Sequence, residues 1–196
     1  MSKKEIIWRE ILFQAAENKK LEFTQKELAE KFGVSTSTVF NALKIPRQSG
    51  AIKVGGRKFT VVDLEKFLYI WATRRNLDKE TIYRTSAGKN PREIEGMMPN
   101  GAIFSGCGAY TQRYGETPAD YDKIYVYADK ETAGEIKKRF PAKKGYENLF
   151  VLKSDPCLKK FGSIAPDVQI FADLWNLTDW YSKEFLSALK QKIFKQ

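Results

Sequence analysis

The stretch from Thr24 to Phe59, TQKELAEKFGVSTSTVFNALKIPRQSGAIKVGGRKF, decides the fold of the N-terminal half. Thr24 is a good helix N-cap, and Glu27 three residues later completes a capping-box pattern ahead of Leu28 and Ala29. A helix is therefore predicted to end near Phe32. Gly33 then supplies the positive φ that a tight turn demands, and Ser35 caps a further helix running through Thr38, Val39, Phe40, Ala42 and Leu43. Pro46 is expected to stop that helix or to follow it closely. Beyond it, Ile52 to Val54 and Lys58 to Val62 are β-prone runs joined by Gly55, Gly56 and Arg57, the pattern of a hairpin.

Upstream, Ile7, Ile11, Leu12 and Ala15 recur at helical spacing over residues 4–17, with Glu5, Arg9, Glu10 and Glu17 largely off that face. Downstream, Leu64, Phe67, Leu68 and Trp71 predict an apolar helix from Asp63 that ends near Asn76 or continues weakly to Tyr83. Residues 85–101, rich in Ser, Gly, Asn and Pro, read as a linker or an irregular domain entrance. There follow the run Ala102 to Gly108, a helix over 109–114, a strand over 123–128, a helix over 131–139, a strand over 149–152, a helix opened by Pro166 and a last helix over 180–194. The fold class expected is α+β, with a helical N-terminal domain carrying a hairpin at 1–62, a connecting helix and linker at 63–98, and a small mixed α+β domain at 99–196.

Among the 196 residues there is no histidine, which removes Ser-His-Asp and Cys-His nucleophiles and imidazole metal sites. Cys107 and Cys157 lie far apart without metal-ligand spacing, so reduced, packed thiols are expected. No apolar run is long enough for a membrane span or a secretory leader, and a cytoplasmic location is the expectation. The net charge is +10 and unevenly placed. Residues 31–62 hold Lys31, Lys44, Arg47, Lys53, Arg57 and Lys58 without one Asp or Glu, whereas residues 1–30 balance six bases against six acids. A local cationic excess of this kind suits a polyanionic partner.

Leu28, Ala29, Phe32 to Ser35, Thr38, Val39, Ala42, Leu43 and Gly50 to Ile52 together resemble the winged helix-turn-helix superfamily. The resemblance implies double-stranded DNA as partner, with the third helix in the major groove and the hairpin, or wing, on the flanking backbone. Val34, Val39, Ala42 and Leu43 form the packing face, which leaves Thr36, Ser37, Thr38 and Asn41 as candidate base or phosphate contacts. Gln25 is placed for a phosphate, and Lys44, Arg47, Lys53, Arg57 and Lys58 for the salt-dependent backbone contacts. Phe40 could touch a thymine methyl if it faced outward; burial against the wing or the helix from Asp63 is expected instead. A winged helix used only for protein docking is the alternative.

In the second half, Ala102 to Tyr110 (AIFSGCGAY), Asp120 to Tyr127 (DYDKIYVY) and Ala165 to Trp175 (APDVQIFADLW), behind a winged helix, resemble AbiEi-type antitoxins, the regulator halves of type IV abortive-infection systems. That resemblance implies an autorepressor encoded beside a nucleotidyltransferase-like toxin. By itself, the glycine-rich turn Ser105 to Gly108 either cradles an anion or packs closely on a sheet, and close packing is favoured. A nucleotidyltransferase-like enzyme using Asp120, Asp122 and that turn is the rival reading; its carboxylates would belong within the strand, and here they precede it. Neither enzymatic activity nor a cofactor is expected. Asp173 reads as a solvated residue on an otherwise apolar helix. The helix from Leu64 to Trp71 either pairs two copies in a homodimer or packs within one chain.

Overall fold

The computed structural model describes residues 1–194 and divides the chain into two compact units, Met1–Arg74 and the remainder from Arg75. The α+β class holds. The boundary falls directly after a helix, and the expected linker does not exist as such: 63–74 belongs to the first unit and 75–98 to the second. The α+β domain expected through 196 extends two residues past those described.

The first unit comprises α1 (Lys3–Glu17), β1 (Glu22–Thr24), α2 (Gln25–Phe32), α3 (Thr36–Gln48), β2 (Ile52–Gly55), β3 (Lys58–Val61) and α4 (Leu64–Arg74). Its sheet has the order β1-β3-β2, both pairings antiparallel, with Phe23 stacked on Phe59. Thr24 accepts from the Glu27 amide as expected, but the Glu27 carboxylate takes Lys20 at 2.8 Å instead of closing the box; full boxes form at Ser2/Glu5 and Asn90/Glu93. Gly33 is left-handed at φ 57°, so the turn into α3 depends on it. Because α1 packs against α3 and α4, its burial extends round the helix from Ile7 to Leu12 and encloses Arg9 and Glu10, contrary to the helical pattern that sets them outside. On α4, which packs against α1, Phe67 meets Trp8 edge to face at 5.9 Å.

Pro46 does not stop α3, which continues two residues past it. A proline lacks the N–H that the carbonyl four residues earlier would accept. That carbonyl belongs to Ala42, and it takes a hydrogen bond from the buried Trp8 indole N–H at 2.8 Å. The helix tolerates its proline because α1 replaces the missing donor.

The second unit holds α5 (Leu77–Glu80), β4 (Thr81–Thr85), α6 (Pro91–Gly96), β5 (Ile103–Ser105), α7 (Gly106–Tyr114), β6 (Ile124–Ala128), α8 (Lys130–Arg139), β7 (Leu149–Lys153), a single 3-10 turn at Lys159–Phe161, α9 (Asp167–Trp175) and α10 (Ser182–Phe194). The sheet order is β4-β7-β6-β5, with β6 and β7 parallel across α8 and both outer pairings antiparallel. Strand β4, in a stretch whose sequence suggests a fading helix, forms one edge and carries a register shift between Thr81 and Tyr83. Asp173 is buried, contrary to expectation, at the centre of a polar cluster. It accepts from Arg75 Nε at 3.0 Å, Ser105 Oγ at 2.7 Å, Tyr127 OH at 2.6 Å and Gln169 Nε2 at 3.0 Å, while Arg75 also donates to Tyr127 at 2.7 Å. A buried carboxylate persists only when paired and hydrogen-bonded in this way.

Both buried arrangements have measurable consequences for stability. Trp8→Phe leaves the Ala42 carbonyl without a donor and should cost at least about 1–3 kcal/mol; Pro46→Ala restores an N–H and should recover part of that loss only in the Trp8→Phe background. Additive effects in a denaturant double-mutant cycle would refute the replacement. Asp173→Ala leaves the buried Arg75 guanidinium with Glu80, 3.6 Å away, but without its closest carboxylate, and should cost about 3–5 kcal/mol in urea unfolding; a loss below about 1 kcal/mol would show that the cluster is not a paired charge.

Candidate nucleic-acid interface

The α3 helix is positioned by its buried stripe of Val39, Ala42, Leu43 and Pro46, which presses it on α1 and α2. The opposite side is solvent-exposed and carries Thr36, Ser37 and Asn41, with Thr38 half-buried at the shoulder. Ser35 organises the first turn. Its hydroxyl accepts from the Thr38 amide at 3.2 Å and lies 2.8 Å from the Ser37 hydroxyl and 2.9 Å from that of Thr38. Two of the four candidate reading side chains are thus already engaged with the cap, and Thr36 and Asn41 are the freer pair.

The cations divide in the same manner. Lys44 and Arg47 are exposed on α3, Lys53 on β2, and Arg57 at the wing tip, where Gly56 at φ 58° permits the two-residue turn. Lys58 on β3 is exposed too, but it donates to the Glu22 carboxylate across the β1–β3 pair at 2.9 Å, and that hydrogen bond and charge raise its pKa above the ordinary lysine value. Lys31 is paired with Glu10. The acid-free segment therefore acquires two carboxylates from outside itself, and among the described residues its uncompensated charge narrows to Lys44, Arg47, Lys53 and Arg57.

Gln25, half-buried at the start of α2, joins Phe40, Lys44, Arg47, Gln48 and Val54 around an open groove of about 420 Å³ between α3 and the wing strand. Phe40 is not buried against the wing or α4. It sits on the α3 stripe that continues through Lys44 and Arg47, four and seven residues on, with the Lys44 ammonium 5.6 Å from its ring centroid. That spacing is present in the sequence; the aromatic character of Phe40 argues for burial and obscures it. Gln48 and Val54 are likewise groove residues, and no sequence motif marks them for that role.

The candidates of the second unit do not assemble into one site. Asp120 is exposed on the loop before β6, and Asp122 accepts hydrogen bonds from Tyr146 and Tyr181, each at 2.7 Å. Partial burial pushes the Asp122 carboxyl up, but those bonds and Lys123 outweigh it and hold the pKa below the ordinary value. Ser105 donates to Asp173, Gly106 backs onto the Tyr125 ring, and the Glu95 carboxylate lies so near Gly108 that a Cβ there would meet it at 2.5 Å. A carboxylate at that turn disfavours a bound phosphate. Cys107 is buried, Cys157 half-buried, and neither is in a disulfide. Among the described residues no helix is long and apolar enough to cross a membrane, and no three acidic or cysteine side chains converge for a metal.

Compared with known proteins, residues 7–69 match the Crp-like helix-turn-helix domain. The match runs from Ile7 within α1 to Tyr69 within α4 and leaves the second unit unassigned. No curated protein and no solved structure matches the chain. The first unit is a helix-turn-helix domain with a wing, which supports DNA binding and transcription regulation as the broad function. Because Ser35 holds the first turn of α3, Ser35→Ala should cost about 1 kcal/mol in chemical unfolding, whereas Thr36→Ala, at an exposed position without a cap role, should stay within about 0.5 kcal/mol.

Proposed function

We propose that the chain is a sequence-specific repressor that binds duplex DNA through α3 and the wing. The observation that carries this reading is that Thr36 and Asn41 are exposed on α3 while four exposed cations of α3 and the wing, Lys44, Arg47, Lys53 and Arg57, have no carboxylate partner among the described residues. Asn41 supplies the donor and acceptor pair that matches the adenine major-groove edge, and Thr36 a hydroxyl that suits base or phosphate. Ser37, Thr38 and Gln25 serve as nearby polar contacts, and the cations neutralise phosphates without reading sequence. Lys58 contributes less, since its ammonium must exchange Glu22 for a phosphate.

The finer assignment is an AbiEi-like antitoxin that represses its own toxin–antitoxin operon. It rests on the resemblance of Ala102 to Tyr110, Asp120 to Tyr127 and Ala165 to Trp175, with a nucleotidyltransferase-like toxin as functional partner and a homodimer as the form that would read two half-sites. We assign no catalysis to this chain. The bonds on Asp122, the Ser105 to Asp173 contact and the crowding of Gly108 by Glu95 all weigh against a nucleotide site.

Mobility-shift titration of the full chain against a duplex selected from a randomised pool tests the reading. Affinity should fall steeply with salt, and Lys53→Ala with Arg57→Ala should shallow the log–log slope by about 0.9 for each phosphate no longer neutralised, equally for all sequences. Asn41→Ala should relax sequence preference instead. Lys58→Ala should have the smaller effect, and Glu22→Gln should tighten binding by releasing that lysine. Affinity indifferent to salt and to both alanine changes would reject the interface.

A further inference from the structure

The groove beside α3 contains two exposed apolar side chains on an otherwise cationic and polar face. Phe40 is 44% exposed and Val54 37%, and both line the cavity of about 420 Å³ bordered by Gln25, Lys44, Arg47 and Gln48. Exposing an aromatic ring to water forfeits the burial that phenylalanine ordinarily gains. Lys44, 5.6 Å from the ring, gives Phe40 a cationic neighbour without covering it. On the helix, Phe40 falls between Thr36 and Lys44 at successive four-residue steps, so an α3 lying in the major groove carries it between a polar side chain and a phosphate-binding one.

We propose, on the basis of the DNA-binding reading above, that Phe40 and Val54 form an apolar reader for the C5 methyl group of a thymine. Thymine alone among the four bases presents a methyl in the major groove, and an apolar side chain is the chemistry that distinguishes it. Asn41 follows Phe40, about 1.5 Å further along the helix axis and turned about 100° from it, and it lies outside the groove that Phe40 lines, so the adenine-matching amide and the methyl reader address separate positions of the site. Lys44 and Arg47 close the groove with phosphate contacts that keep the ring against the base edge. The site thus prefers A·T pairs under α3 for two independent chemical reasons.

Deoxyuridine tests the assignment, because it retains every hydrogen-bonding group of thymine and lacks only the methyl. In the duplex selected by the full chain, each thymine is replaced singly and the affinity remeasured for the wild type and for Phe40→Ala. Replacement at one position per half-site should weaken wild-type binding about fourfold, the equivalent of one buried methylene, and should leave Phe40→Ala unaffected at that position. A wild type indifferent to every replacement would overturn the proposal. So would a Phe40→Ala protein that keeps the full deoxyuridine penalty, the result expected if the groove seats a protein segment instead. If the chain selects no duplex at all, the DNA-binding reading falls together with it; selection without a methyl effect removes the Phe40 assignment alone.

Discussion

The indole N–H of Trp8 donating to the carbonyl of Ala42 is the contact on which the first unit turns. It joins α1 to α3 in the middle of the exposed helix's buried face, and it satisfies the one backbone acceptor that Pro46 deprives of its helical partner. The same indole meets Phe67 of α4 edge to face. One side chain therefore sets the distance of α3 from the core on one side and anchors the trailing helix on the other. The side chains displayed on α3 inherit their placement from this arrangement, since a helix that shifted or broke at Pro46 would carry Phe40, Asn41, Lys44 and Arg47 with it.

Electrostatics refines what the fold displays. A segment without acidic residues looks uniformly cationic in one dimension, yet in three dimensions Glu10 reaches Lys31 and Glu22 reaches Lys58 from elements earlier in the chain. Exposed pairs such as Lys58 and Glu22 add little stability. Their effect is to select which cations remain available, concentrating them on the C-terminal turns of α3 and on the wing.

Features governed by near neighbours are legible in the sequence. Thr24, Gly33 and Ser35 specify the helix, turn and helix through cap and φ preferences, and the wing follows from its glycines. Pro46 reads as a stop because the donor that compensates at Ala42 lies 34 residues before that residue. Asp173 looks solvated because Arg75, Ser105 and Tyr127, at separations of 98, 68 and 46 residues, give no local sign that they converge. Strand β4 is hard to discern since five residues following a short helical turn show too few periods to separate the two patterns, and its pairing partner β7 is remote. At the interface, residue types indicate the polar and cationic members, while the exposure of Phe40 and the neutralisation of Lys58 depend on tertiary placement.

Arg75 gives the unit boundary a practical meaning for dissecting the protein. A cut at 98/99, where the composition suggests a linker, would remove the edge strand β4 together with the guanidinium that balances Asp173. The resulting fragment would expose the flank of β7 as a new sheet edge and retain an acid sealed in its interior, a combination that favours aggregation on expression. A fragment that begins at Arg75 keeps both the strand and the counter-charge, so for this chain the usable break point is set by one buried arginine and not by the glycine- and proline-rich stretch downstream.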